Sequence, residues 1–233
     1  LVDCDEMLET ISLSGETVIK VFGDYNHTAE PCIDGIAAMN DGKYYYFDCS
    51  SLTNVYSWIA EQDIIYTGHG LKRDYYMLMC KGLKDFETCF DTAIAQYVLD
   101  SGRSNYSLAA ISNEYLHFTV RDEKDFLADN GQVDMFTETV RSFMDYGFEV
   151  CTAVMNLTGL QREKLREEDL EEVYYKVEIP LIIVMASMEA EGFKADRDTL
   201  QKFGEMLSEK IDEITARVTE LAGEPFNLNS PQQ

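Results

Sequence analysis

The order of apolar and polar positions predicts a fold in which strands and helices alternate. Short β-branched runs predict strands over 17–22, 32–39, 43–48 and 63–68, with hairpin-turn residues at 40–42. Apolar positions at helical spacing predict helices over 52–62, 71–82, 91–99 and 108–116, the last capped by Ser107. A hairpin meander followed by alternating strands and helices predicts an α/β fold with a mixed sheet.

The second half of the chain reads as helical throughout. Residues 119–136 are polar and predict a loop, and a long helix is expected over 137–157. Composition changes near residue 160, where a densely charged segment leads into a helix over 170–188 that Pro180 should kink or break. A final helix runs from an Asp196 cap to Gly223, and we expect its long apolar stripe to be only partly covered by this chain.

Composition narrows the class of protein. The chain has 233 residues and is 45% hydrophobic, which suits a globular protein, and it contains no apolar run of membrane-spanning length. Its 19 basic and 43 acidic residues give a net charge of −24, so the chain as a whole should repel DNA. The six cysteines form no C-x-x-C pair, and we expect reduced core thiols in a cytosolic protein. Because residue 1 is Leu, we also expect the chain to begin inside a longer gene product.

Two groups of motifs carry a family resemblance. The first is Thr67-Gly68-His69-Gly70-Leu71-Lys72-Arg73-Asp74, followed by Phe90-Asp91-Thr92 and Tyr97-Val98-Leu99. The second is Glu178-Ile179-Pro180-Leu181, Met188-Glu189-Ala190-Glu191-Gly192, and Ala222-Gly223-Glu224-Pro225-Phe226-Asn227-Leu228-Asn229-Ser230-Pro231-Gln232. Together they resemble the bacterial DNA polymerase I family (family A).

The resemblance implies a fold and a set of partners. It implies a ribonuclease H-like (DnaQ-like exonuclease) domain over residues 1–160, followed over 161–233 by the first helices of the polymerase domain, in the thumb region. The partners it implies are a DNA primer-template and the rest of the polymerase chain, in a cytoplasmic protein of DNA replication and repair, with no membrane. It implies Mg²⁺ for the complete polymerase and no cofactor in this segment. Near the end of the chain, Asn227, Asn229, Ser230 and Gln232 would contact the DNA backbone, or else form a turn and a cap at Ser230.

The resemblance also implies where an exonuclease site would lie. Exonucleases of this kind use an Asp-x-Glu pair on the first strand, one Asp in each of two later motifs, and a Tyr four residues before the last Asp. At these positions the chain has, in order, Phe22, Asp24, Asp74, Gly147 and Phe143. A shift of register in the last motif would bring in Asp145 or Glu149 instead.

These positions predict a degenerate site without catalytic residues. Asp24 and Asp74 are weak candidates for metal ligands, and we expect them to be surface carboxylates or caps. Two alternatives stay open: an active 3′–5′ exonuclease that uses Asp24, Asp74 and an acid near 145–149, and a protein-interaction module. The aromatic residues 44–47 are expected to form a strand with alternate residues in the core rather than a base-stacking surface. Lys72-Arg73 is expected to be a solvated helix start. His69 is a weak candidate for a general base.

Overall fold

A computed structural model describes most of the chain. The described residues are 8, 10–24, 31–49, 52, 54–118, 120–123, 125–126 and 136–223, with side chains in the last range described from 143 onward. The chain divides into two compact units, Leu1–Glu191 and Gly192–Gln233, which are described separately. The domain division predicted at residue 160 concerns a longer protein and stays a prediction.

The first unit is built on a five-stranded mixed sheet. Its strands are β1 (Ser14–Asp24), β2 (Cys32–Asn40), β3 (Lys43–Asp48), β4 (Asp63–Gly68) and β5 (Glu87–Asp91). Their order is β3-β2-β1-β4-β5. The β1–β2 and β2–β3 pairs are antiparallel, whereas β1–β4 and β4–β5 are parallel. The mixed α/β sheet expected from the sequence is therefore confirmed, although the pattern did not predict β5.

In the described residues of the first unit, seven α-helices connect and flank these strands. They are α1 (Val55–Ala60), α2 (Leu71–Cys80), α3 (Thr92–Leu99), α4 (Leu108–Tyr115), α5 (Phe136–Glu167), α6 (Glu171–Val173) and α7 (Ile179–Glu191). Helix α5 continues ten residues beyond the predicted end at 157, since its apolar face persists to the buried Leu165. Among the described residues of the chain, no helix is long and apolar enough to cross a membrane.

The helical hydrogen-bonding pattern continues through Pro180. A π-helical turn, Tyr174–Glu178, joins α6 to α7, and the Ile179 N–H bonds to the Tyr174 carbonyl five residues back. Proline has no N–H to donate to the carbonyl four residues before it, so a stretch of wider hydrogen bonds fits just ahead of it. The predicted kink or break therefore takes the form of a π turn.

Local signals in the sequence fix several element ends. Asp41 and Gly42 both have positive φ, at 48° and 72°, as a two-residue type I′ hairpin turn requires. The Ser107 hydroxyl accepts a hydrogen bond from the Ala110 N–H at 3.3 Å and caps α4 as expected.

Alternation along β1 places different side chains on the two faces of the sheet. Ile19 and Val21 pack into the core shared with α1 and α2, whereas Val18 and Phe22 pack into a second core with α4 and α5. The aromatic strand β3 also lies in these cores: Phe47 is buried, and the Tyr44 hydroxyl donates to the Met144 carbonyl at 2.7 Å. The half-buried Tyr45 packs beside Phe47 against the first core, and the half-buried Tyr44 and Tyr46 pack against the second, so both faces of the strand contact a core instead of alternate residues alone.

The second unit contains one long helix, α8 (Arg197–Ala222). The Asp196 carboxylate accepts from the Thr199 N–H, and Gly223 ends the helix in a left-handed conformation, as the sequence predicts. None of the residues of α8 is buried. Its exposed apolar side chains are Leu200, Phe203, Met206, Leu207, Ile211, Ile214 and Leu221.

Candidate functional site

A cleft of about 500 Å³ lies at the carboxyl ends of the parallel strands β1 and β4. Gly23 and Asp24 at the end of β1, His69 just after β4, and Arg73 on α2 form part of its wall. Ligands of α/β proteins bind at this edge of a sheet, because loops and helix starts converge there. The charged residues that line it are Lys20, Asp24, Asp34, Arg73, Arg121, Asp122 and Glu123.

A buried ion pair lies at the floor of this cleft. The Lys20 Nζ is 3.5 Å from Asp74 Oδ1 and 3.6 Å from Glu123 Oε2, and the exposed fractions of the Lys20 and Asp74 side chains are only 9% and 1%. Within the described part of the chain, Asp74 Oδ2 makes no hydrogen bond of ordinary geometry. Burying an ammonium group is costly unless an opposite charge lies close by, so the carboxylates hold Lys20 in the interior.

Arg73 extends the same network toward the cleft opening. Its Nη1 donates to Glu123 Oε1 at 2.7 Å and its Nη2 donates to the Gly23 carbonyl at 3.0 Å. The interpretation of Lys72-Arg73 as a solvated helix start is therefore wrong for Arg73, which the Glu123 carboxylate draws into the cleft wall. Lys72 remains at the surface and pairs with Glu189 at 2.7 Å.

Burial and neighbouring charges shift the pKa values within the cluster formed by Lys20, Arg73, Asp74 and Glu123. Burial raises the pKa of Asp74 to about 6, although Lys20 and Arg73 oppose the shift. Burial acts to raise the pKa of Glu123, but Lys20 and Arg73 outweigh it and lower that pKa. Burial lowers the pKa of His69 to about 4, so this imidazole is neutral at pH 7. Two cations then face two carboxylates, and the cluster is balanced at neutral pH.

The structure brings three of the predicted exonuclease positions together. The rings of Phe22 and Phe143 pack with centroids 5.3 Å apart. A Cβ on Gly147 would lie 3.3 Å from the Phe22 ring, so the glycine of α5 faces β1 directly. Asp145 is exposed on the same helix, which favours the register that places Gly147, rather than Asp145, toward the sheet.

Asp24 and Asp74 occupy different environments. Asp24 is exposed and lines the cleft. Asp74 is fully buried, so its expected role as a surface carboxylate or cap is wrong: α2 turns it inward, toward Lys20 on β1. On one face of β1, Lys20 lies beside Asp74 and Phe22 lies beside Gly147. The structure therefore places the two first-strand positions of the site at Lys20 and Phe22, two residues before the predicted pair Phe22 and Asp24. A lysine inside the apolar run 18–22 was the sequence signal for this arrangement.

The donor set does not suit a pair of divalent metal ions. Such a pair needs several oxygen ligands around two cations. Among the described residues, no group of three or more His, Cys, Asp or Glu side chains is placed to hold a metal ion. Phe22 contributes a ring and Lys20 a cation where oxygen ligands would be needed, so the residues present do not fit the metals that the resemblance implies.

Comparison with known proteins gives a consistent family. A scan against models of protein families gives no match. DNA polymerase I of Bacillus subtilis (strain 168) is 29% identical over 220 residues, which is 93% of this chain and 24% of that protein. DNA polymerase I of Caldicellulosiruptor bescii is 32% identical over 178 residues, which is 75% of this chain and 18% of that protein. This chain belongs to the bacterial DNA polymerase I family. It spans about a quarter or less of the length of these relatives.

A solved structure supports the fold. The chain matches a structure described as the POL domain of Pol1 from M. smegmatis in complex with DNA primer-template and dNTP. The TM-score is 0.74 at 22% identity, over 100% of this chain and 38% of the other. At this identity the likeness shows the fold alone, a mixed sheet with flanking helices.

The Phe90-Asp91-Thr92 motif that resembles the DNA polymerase I family has a structural explanation here. Asp91 is buried, and its Oδ1 accepts from the N–H groups of Gly70, Ala93 and Ile94 at 3.1, 2.9 and 3.2 Å. Its Oδ2 accepts from the Leu71 N–H at 2.7 Å. One carboxylate thus caps both α2 and α3, and positions the helix that carries Asp74 and Arg73.

The remaining predicted residues fall into two groups. His69 lines the cleft, but its Nδ1 lies 2.8 Å from the Thr92 hydroxyl, and its pKa near 4 makes it a weak base. Asn227, Asn229, Ser230 and Gln232 lie outside the described residues, so their predicted contacts with the DNA backbone stay predictions.

Proposed function

We propose that this chain is part of a DNA polymerase I that acts in DNA replication and repair, and that its exonuclease-like domain is structural and does not hydrolyse DNA. The observation that carries the proposal is which residues stand on β1 at the site: Lys20 lies beside Asp74, and Phe22 lies beside Gly147. Both positions where acidic ligands would be needed therefore hold residues that cannot bind a cation.

Electrostatics argue against hydrolysis at this cleft. A two-metal mechanism requires two cations about 4 Å apart, each neutralised by carboxylates. Here the ammonium of Lys20 already neutralises Asp74 and shares Glu123 with Arg73. A second divalent cation would meet two positive charges and too few oxygen ligands.

In the complete protein, the domain would support the polymerase region, whose partner is a DNA primer-template. The matched M. smegmatis structure was described with primer-template and dNTP, and we extend that partner to this protein as part of the proposal. Magnesium belongs, in this proposal, to the polymerase reaction. A cytoplasmic location follows from the same assignment.

A hydrolysis assay tests the proposal. The chain is incubated with single-stranded DNA labelled at its 5′ end, with Mg²⁺ and separately with Mn²⁺, and shortening of the DNA from its 3′ end is followed on denaturing gels. We expect no shortening above the buffer control, because no metal pair can assemble around Asp74.

Matched variants identify the source of any activity. Asp24→Ala and Asp74→Ala are assayed beside the unmodified chain. Shortening that both variants abolish would overturn the proposal in favour of an active 3′–5′ exonuclease. Shortening that neither variant changes would come from a contaminating nuclease. The alternative of a protein-interaction module predicts that even the complete protein lacks affinity for primer-template DNA.

A further inference from the structure

A single lysine on β1 lies where the chain is otherwise apolar. Lys20 is flanked by Ile19 and Val21, and 91% of its side chain is removed from solvent, since only 9% is exposed. Its ammonium group is reached from two sides by carboxylates on different elements, Asp74 on α2 and Glu123 after α4. Asp74 and Glu123 lie 54 and 103 positions after Lys20 in sequence, so the tertiary fold brings both carboxylates to one cation.

We propose that the Lys20 ammonium is a built-in cation that occupies a latent divalent-metal site formed by Asp74 and Glu123. The inference rests on the proposed silent exonuclease, and it adds what keeps a metal out. Removing the lysine side chain would open the site to a divalent ion.

The distances support a cation held between two ligands rather than a close salt bridge with one. The Nζ lies 3.5 Å from Asp74 Oδ1 and 3.6 Å from Glu123 Oε2, longer than the roughly 2.8 Å of a tight charge-assisted hydrogen bond. The second oxygen of Asp74 is buried and, in the described part of the chain, makes no hydrogen bond of ordinary geometry, although the Val21 backbone N–H also interacts with this carboxylate. It is a ligand position that the single ammonium leaves unused.

The site is also accessible once the lysine is gone. Lys20 and Glu123 both line the cleft, so shortening residue 20 connects Asp74 to solvent. Carboxylate oxygens and water are the ligands that Mn²⁺ accepts readily. Arg73 would remain beside Glu123 and weaken the attraction, so we expect millimolar rather than micromolar affinity.

The test compares thermal unfolding with and without millimolar Mn²⁺ in four proteins. They are the unmodified chain, Lys20→Ser, Lys20→Ser combined with Asp74→Asn, and Lys20→Arg. We expect Lys20→Ser to unfold at a lower temperature than the unmodified chain, and Mn²⁺ to raise that unfolding temperature by about 1–2 °C. The unmodified chain, Lys20→Arg and the double variant should show no Mn²⁺-dependent rise.

Two results would overturn the inference. One is a Mn²⁺-dependent rise in the unmodified chain that Asp74→Asn removes, since the ammonium would then not exclude the metal. The other is a folded Lys20→Ser that does not respond to Mn²⁺.

A second measurement applies if Lys20→Ser does not fold. In the unmodified chain labelled with ¹⁵N, the Lys20 ammonium should give a slowly exchanging ¹H–¹⁵N signal that Asp74→Asn weakens. Absence of that signal in the unmodified chain, while the fold is intact, would also overturn the inference. DNA hydrolysis is a separate readout: it reports on the proposed function and is unaffected by these outcomes.

Discussion

A single buried carboxylate fixes the starts of two helices in this molecule. Asp91 accepts hydrogen bonds from four backbone N–H groups, two at the start of α2 and two at the start of α3. The Tyr174 hydroxyl accepts a further bond from the Asp91 N–H at 2.8 Å, which ties the π turn to the same point. A residue of the family motif that could be mistaken for a metal ligand is thereby assigned to the scaffold.

Replacing Asp91 should destabilise the first unit more than the loss of an ordinary cap. Asp91→Ala leaves one buried and three part-buried N–H groups without their acceptor, and we expect a loss of about 3 kcal/mol or more in the free energy of unfolding. Asp91→Asn keeps one acceptor oxygen and should lose less. Urea-induced unfolding measures both. The control is Ser107→Ala, which removes one cap bond and should cost about 1 kcal/mol; equal losses for Asp91→Ala and Ser107→Ala would contradict the dual role.

Asp74 should make stability depend on pH in an unusual direction. Its pKa is raised from 3.8 to about 6 in the folded chain, so folding favours its protonated form. Protonated Asp74 therefore contributes to the free energy of unfolding in full below about pH 4, and this contribution is lost as the pH rises through 6. A fall on the order of 2 kcal/mol between pH 4 and pH 7 is expected from this group.

The difference between the unmodified chain and Asp74→Asn isolates this effect. His69 acts in the opposite direction, because its pKa is lowered to about 4 and its contribution is lost as the pH falls, so the total curve alone is not diagnostic. Urea unfolding at a series of pH values should give a stability difference that changes between pH 4 and 7 for Asp74→Asn. A flat difference for Asp74→Asn would contradict the raised pKa.

At the scale of elements, α5 approaches the sheet closely through one glycine. A Cβ at residue 147 would lie 2.5 Å from the Tyr44 hydroxyl oxygen, 2.8 Å from the Ala37 Cβ and 3.3 Å from the Phe22 ring. No rotamer change of Ala37 can relieve the second contact, so a side chain at 147 must move the helix. Gly159, on the same helix, has nothing within 4 Å of its Cβ position.

Two substitutions of glycine by alanine in α5 should therefore have opposite effects. Gly159→Ala should stabilise the fold by about 0.5–1 kcal/mol, because alanine loses less backbone entropy in a helix. Gly147→Ala gains the same entropy but overpacks the interface, and we expect a net loss of about 1–3 kcal/mol. Thermal or urea unfolding of both variants provides the measurement. Stabilisation by both substitutions would show that α5 can move away from the sheet freely.

The elements themselves followed from local pattern, whereas the site did not. The strands over 43–48 and 63–68 have the predicted bounds, since β-branched and aromatic runs bounded by turn residues are a local property. Strand β5 was missed because Glu87-Thr88-Cys89-Phe90-Asp91 is short and has no clear alternation. The Lys20–Asp74–Glu123 cluster joins three distant segments, so only the tertiary fold could reveal that Asp74 is buried and Lys20 paired.

At the scale of the whole molecule, two surface properties matter: the negative charge of the chain and the exposed apolar side chains of α8. In the cleft, Lys20 and Arg73 are paired with acids, whereas the Arg121 guanidinium lies over the rings of Phe126 and Tyr146. The overall charge of the chain is −24. In the second unit, α8 exposes its apolar stripe along most of its length. Exposed apolar surface of this extent is typical of a segment that other protein covers, which agrees with a chain that spans about a quarter of its relatives' length.

The charge predicts that this chain alone does not bind DNA. A fluorescently labelled primer-template duplex is titrated with the chain at about 0.15 M salt, and we expect no saturable change in anisotropy, because 43 acidic residues face the phosphates against 19 basic ones. Lowering the salt is the control. A basic DNA-binding protein gains affinity at low salt, whereas repulsion between this chain and DNA becomes stronger as screening weakens. Micromolar binding that tightens at low salt would contradict this prediction and show that a local basic surface outweighs the net charge.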